Sequence, residues 1–158
     1  MKTFKQIRES SVFSGDDVDA KIGNTPIKTG HPIEFHYIRN TEKAPNFGAK
    51  FGQDIEPHGQ YITPVDSEKE AHEAVNRLPN YEHGKVKFNN PLVLKQDDDL
   101  PTVGWKQRLS SAYNNKKGKA LSRAIAKSGH DGIITAHPRY GVSETVNLKM
   151  FHNYNEEK

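Results

Sequence analysis

Apolar positions recur along this chain with two periods, and the places where one period gives way to the other mark out the elements. The alternation in Ile33-Glu34-Phe35-His36-Tyr37-Ile38-Arg39 predicts a strand. Ile33, Phe35, Tyr37 and Arg39 fall on one face, and Glu34, His36 and Ile38 on the other. Gly59-Gln60-Tyr61-Ile62-Thr63-Pro64 predicts a second, shorter strand closed by its proline. Helical spacing follows in Ala71, Ala74, Val75 and Leu78, which sets a helix over 67–77. Asp66 or Ser67 is placed to cap it, Glu68 and Glu70 lie in the first turn where the dipole favours them, and Pro79-Asn80 stops it.

A second strand region, His83–Phe88 and Pro91–Leu94, is interrupted at Asn89-Asn90-Pro91. Two helices come next, over 102–113 with Trp105, Leu109 and Ala112, and over 119–128 with Ala120, Leu121, Ala124 and Ile125. Gly129 suits the C-terminal cap of the second. Two strands close the pattern, in Gly129-His130-Asp131-Gly132-Ile133-Ile134-Thr135 and from Ser143 to Phe151. In the last strand Val142, Val146, Leu148 and Met150 share a face, and Glu144 shares it with them. A carboxylate on an apolar strand face is costly unless something needs it there.

The order is strand, strand, helix, strand, helix, helix, strand, strand, with no internal repeat. Helices inserted between separated strands predict α+β, a split mixed or antiparallel sheet core, over a doubly wound parallel sheet. Residues 1–30, punctuated by Gly15, Pro26 and Gly30, read as a partly ordered N-terminal arm with one or two weak elements, either covering a sheet edge or in part disordered. Residues 31–152 form the single domain and 153–158 a polar tail. The stretch from Asn40 to Gly59 is long for a plain connection, and loops of that length are usually functional.

Composition narrows the chemistry. At 158 residues, 33% of them hydrophobic, the chain supports one domain with a lean core. Its net charge of +3 favours phosphate-bearing or acidic partners without being a nucleic-acid signature. The absence of cysteine excludes disulfides and thiolate metal sites. No apolar run reaches transmembrane length, so the expectation is a cytoplasmic chain without a membrane partner. The eight histidines show no ligand spacing, His130 and His137 standing seven apart across a turn, and no metal is expected. Asp97-Asp98-Asp99 reads as a solvated turn. Lys116, Lys117 and Lys119 make a basic loop, solvated by default and a candidate phosphate or nucleic-acid contact.

Several local signals then line up in one order. They are Ile38-Arg39-Asn40-Thr41 at the end of the first strand, Gly59-x-Tyr61-x-Thr63, a helix carrying Ala71, the pair Asn90-Pro91, Ser128-Gly129-His130-Asp131-Gly132-Ile133-Ile134, and a last strand opening on Ser143-Glu144. This order resembles the ADP-ribosyltransferase superfamily, most of all its small phage-associated branch, over residues 33 to 151. The resemblance implies transfer of ADP-ribose from NAD, as co-substrate, to a host macromolecule. That acceptor is a protein first, a component of a defence system such as a CRISPR effector among the possibilities, and a nucleic acid second.

It also implies three catalytic positions bordering one cleft. Glu144 matches the glutamate, Tyr61 the Tyr or Ser of the second strand, and Arg39 the basic residue ending the first, with His36 the alternative on the opposite face. Arg39, Asn40, Thr41, His36, Tyr61 and Thr63 are the implied NAD contacts. Cleavage of the nicotinamide–ribose bond passes through an oxocarbenium-like transition state, as glycoside cleavage does. Glu144 would stabilise that charge and fix the ribose, Tyr61 would stack on the nicotinamide, and Arg39 would hold ribose or phosphate. Two positions depart from the family. Val142, two before Glu144, argues against arginine as acceptor, and Asn40 stands where the family carries Gly.

Three other readings use the same residues. The first is an inactive transferase fold serving as a binding or phage structural accessory protein. The second is a nuclease with Asp131 and Glu144 as metal carboxylates, against which Val146 stands where a lysine is usual. The third is a nucleic-acid-binding module built on the basic loop.

Overall fold

The structure, a computed structural model, describes residues 20–41, 57–95, 104–137 and 141–150. It is an α+β fold. A two-stranded hairpin, β1 (Lys21–Ile22) and β2 (Thr25–Pro26), precedes a six-stranded mixed sheet of β3 (Ile33–Asn40), β4 (Gln60–Val65), β5 (Tyr81–Phe88), β6 (Pro91–Lys95), β7 (Gly132–His137) and β8 (Gly141–Asn147). Among the described residues three helices are inserted, α1 (Glu68–Arg77), α2 (Gly104–Ala112) and α3 (Gly118–Lys127). The sheet runs β5-β3-β4-β8-β7-β6, antiparallel throughout except for the parallel pair β6–β7, whose connection carries α2 and α3.

Each element follows from local signals. Ser67 caps α1, its Oγ accepting from the Glu70 N–H at 3.1 Å, while the Glu70 carboxylate accepts from the Asp66 N–H at 3.1 Å. Ala71 and Ala74 are small enough to bring that helix close to Ile38, Val65 and Tyr81. Gly129 (φ +101°) ends α3 as expected, in a left-handed conformation that a side chain would strain. Asp131 then does structural work, accepting from the N–H groups of Asn89 at 2.7 Å and Asn90 at 3.0 Å. Those bonds hold the turn from β5 into β6 beside the start of β7.

The two faces of the sheet are covered differently. On one, Leu92, Leu94, Ile133 and Val146 pack under Trp105, Leu109, Leu121 and Ile125 of α2 and α3. Each fully buried Leu or Ile there contributes about 1.5–3 kcal/mol of transfer free energy. α1 covers the far end of the same face. On the other face Phe35, Ile62, Val86, Phe88, Val93 and Ile134 form a second cluster with Ala20, Ile22 and Ile27 of the hairpin segment. The arm also reaches the β6 edge, where the Gly30 N–H donates to Pro91 O at 2.9 Å and the Thr29 hydroxyl accepts from the Val93 N–H at 2.9 Å. An edge tied down in this way is closed to strand pairing.

The last strand departs from simple alternation. Ile134 pairs with Thr145 and Ala136 with Val142, so β8 holds one residue more than β7 between these pairs. This β-bulge sets Ser143 and Glu144 against Thr135 and moves Val142 to the Phe35–Ile134 cluster, away from the face of Val146. Val142, Glu144 and Val146 therefore do not share one face as their spacing predicts. The strand also ends at Asn147, and Leu148–Met150 forms a 3₁₀ turn in place of the expected extension. Phe151 and Asp97 to Asp99 lie outside the described residues.

Candidate active site

The sheet splits at β4. Its second half pairs with β3, Thr63 opposite Ile38 and Val65 opposite His36, while its first half pairs with β8, Gln60 opposite Asn147 and Ile62 opposite Thr145. The end of β3 and the start of β8 therefore diverge from β4 on opposite sides. The opening is a cleft of about 520 Å³, within the roughly 300–1,000 Å³ usual for small-molecule sites. Three consecutive residues of each strand line it, Ile38–Asn40, Tyr61–Thr63 and Ser143–Thr145, with Tyr81 closing one side. α1 covers the sheet on one side of this opening, and α2 with α3 covers it on the other.

Chain alternation decides which side chains reach the cleft. Register places Ile38, Thr63 and Tyr61 on the helix-bearing face, with Asn40 on that face by alternation. The Tyr61 ring is half-buried against the α2–α3 cluster, and its hydroxyl donates to Pro57 O at 2.8 Å. Gly59 admits this strand, since a Cβ there would stand 2.6 Å from Val146 Cγ1 and 3.0 Å from Asn147 O. No side chain fits at that separation.

Glu144 is held through its backbone. The buried Thr135 hydroxyl accepts from the Glu144 N–H at 3.0 Å, donates to Glu144 O at 2.9 Å, and lies 2.9 Å from Ser143 Oγ. One donated and two accepted bonds saturate that hydroxyl, with Ser143 as the remaining donor. The bulge is thus fixed from below while the Glu144 carboxylate stays 44% exposed.

Facing it is a residue that the sequence pattern did not single out. Lys106 of α2 is only 7% exposed, and its Nζ stands 3.8 Å from Glu144 Oε2. The same ammonium lies 5.8 Å from the centre of the Tyr61 ring and 5.5 Å from that of Trp105. Buried lysines are rare, and this one is stabilised by two aromatic faces and a carboxylate. The available signal was faint. Lys106, Ser110 and Tyr113 form a second stripe beside Trp105, Leu109 and Ala112, and both stripes are buried.

The first-strand candidates divide. Arg39 borders the cleft, but alternation turns its side chain to the face opposite Ile38 and Asn40. There its Nε and Nη2 donate to Glu82 Oε1 at 2.8 and 2.5 Å. His36 is on the Tyr61 face but is paired with Val65 and Lys85, outside the cleft lining. Thr41 also lies outside that lining, its N–H and hydroxyl both donating to Asn80 O at 2.8 and 2.9 Å. Glu144, Tyr61, Thr63 and Asn40 are therefore brought together on one face, with Arg39 at their border.

Asp131 is not near Glu144. Its carbonyl accepts from the Leu148 N–H, four residues along from Glu144, a separation of roughly 13 Å at the rise of a strand. With that carboxylate bonded to the Asn89–Asn90 turn, a two-carboxylate metal site is not formed. Among the described residues no group of three potential ligands clusters around a metal position. The basic loop joins α2 to α3, with Lys116 and Lys117 exposed and Lys119 half-buried. No helix of the described residues is long and apolar enough to cross a membrane. Comparisons with protein-family models, with curated proteins and with solved structures find no match to this chain.

Proposed function

We propose that the protein is an NAD-dependent ADP-ribosyltransferase with its active site in the β3–β4–β8 cleft. One observation carries the reading. Residues from three strands far apart in sequence, singled out for their types and order, border a single opening, with Glu144 the exposed carboxylate on its rim. The nuclease alternative loses its second carboxylate to the Asn89–Asn90 turn.

The reaction breaks the bond between nicotinamide N1 and ribose C1, the electron pair leaving with nicotinamide. An acceptor nucleophile then bonds to C1 and releases its proton. Glu144 supplies a negative charge where positive charge develops on the ribose, and its backbone is fixed in advance by Thr135. Tyr61 offers an aromatic face for stacking, its ring held in place as the hydroxyl donates to Pro57 O. Asn40 brings backbone and side chain to the end of β3. The ion pair to Glu82 Oε1 gives Arg39 a part in fixing that strand end, and a phosphate contact on the Tyr61 face requires its side chain to leave the opposite face of the sheet.

The acceptor on this reading is a host macromolecule, a protein before a nucleic acid, in keeping with a phage-encoded effector. Incubation with labelled NAD and host lysate tests the activity and displays the acceptor together. Label transferred by the wild type and lost in Glu144→Gln supports the assignment. Equal transfer by both, or neither NAD binding nor transfer by the wild type, removes it and leaves the inactive-fold reading.

A further inference from the structure

We infer that Lys106 is a positioning residue for Glu144, an assignment that rests on the transferase reading of the cleft. Three distances place its ammonium at a corner formed by two rings and the carboxylate: 5.5 Å to Trp105, 5.8 Å to Tyr61 and 3.8 Å to Glu144 Oε2. The burial is asymmetric. Side-chain exposure is 9% for Lys106 and 44% for Glu144, so the cation is the fixed partner and the carboxylate the accessible one.

The separation to Glu144 is longer than a direct charge-assisted hydrogen bond, near 2.7–2.9 Å. The aromatic faces share in holding the ammonium, which leaves lone pairs on Glu144 available to a substrate. Thr135 fixes only the Glu144 backbone, so rotation about the side-chain bonds is otherwise open. Lys106 restricts that rotation from behind the residues that line the cleft. It also ties α2 to β8, so the distance between the Tyr61 ring and the carboxylate is set by one ammonium touching both.

Such a residue acts on the geometry of the reacting complex more than on NAD affinity. A misplacement of about 1 Å in a catalytic group is worth on the order of a hundredfold in rate. Lys106→Met keeps the length of the side chain and removes the charge, and nicotinamide release gives kcat and KM separately. The expected result is a fall in kcat of roughly tenfold to a hundredfold with KM within about threefold of wild type. Lys106→Arg should recover a large part of the loss. In a Glu144→Gln background the added Lys106→Met change should have no further effect, because the contribution passes through that carboxylate.

Thermal unfolding of each variant separates rate from folding. A folded Lys106→Met with kcat within twofold of an active wild type would overturn the Lys106 assignment and leave the transferase reading standing. A full additional loss in the Glu144→Gln background would overturn it as well. A wild type that neither binds nor cleaves NAD removes the transferase reading itself, and the assignment with it.

Discussion

The two carboxylates at opposite ends of the β7–β8 hairpin are handled in opposite ways. Asp131 is 19% exposed, and its oxygens accept from two backbone N–H groups, with the Lys149 ammonium 3.8 Å away. Glu144 is hydrogen-bonded through its backbone, and its carboxylate projects from a bulge with the Lys106 ammonium at 3.8 Å. A carboxylate bonded to backbone donors is committed to shape. One whose lone pairs face a cleft, while its main chain is fixed, retains capacity for a ligand. The two residues have equal charge, and the difference lies in which part of each the fold has satisfied.

Glu144→Gln gives the largest expected effect and the strongest test of this contrast. It should lower ADP-ribose transfer by roughly a hundredfold to a thousandfold while leaving the unfolding midpoint nearly unchanged. Labelled-NAD transfer and urea titration of the same preparation measure both. Asp131→Ala should do the reverse, costing about 1.5–3 kcal/mol of stability through the Asn89–Asn90 turn. Activity per folded molecule should be retained, and a large specific loss would erase the distinction.

Thr135→Val lies between the two. It preserves shape but removes the hydroxyl that holds the bulge, so a stability loss of about 1–3 kcal/mol should accompany roughly tenfold slower transfer. Unfolding and steady-state kinetics would find the two changes together. The smallest effect belongs to Ser67→Ala, which removes the α1 cap for about 1 kcal/mol and should leave turnover untouched. A change in kcat from that variant would mean that α1 controls the cleft more directly than its packing on Ile38 and Val65 indicates.

These contrasts also show where sequence reading succeeds. The helix over 67–77 was legible because its cap, dipole and alanine spacing agree, and it is found at Glu68–Arg77. The order of strands and helices was legible for the same reason, except that the single strand region expected over 83–94 is two strands, β5 and β6, at opposite edges of the sheet. The face of Val142 was not, because a period-2 count cannot register the extra residue between Val142 and Thr145. Arg39 shares a face with Phe35 and Tyr37 as the alternation predicts, but that is the face turned away from Tyr61. Lys106 was missed because its burial comes from α2 lying against Tyr61 and β8, contacts about forty residues away in either direction. The cleft residues were visible singly, but their convergence depended on how β4 divides its pairing.

That division has a consequence for how the site comes into being. β4 follows β3 in the chain, after the stretch from Thr41 to Gly59, but meets β8 only through pairings such as Gln60 with Asn147, which lie much farther apart in sequence. Long-range pairings of this kind are slow to form, because loop closure must precede any gain from contact. A growing or truncated chain lacking β8 would carry Tyr61, Asn40 and the cleft floor but no Glu144. Competence is therefore all or none with respect to the last strand. On the transferase reading the half-built protein would be chemically silent, because Glu144 arrives with the strand that completes the fold.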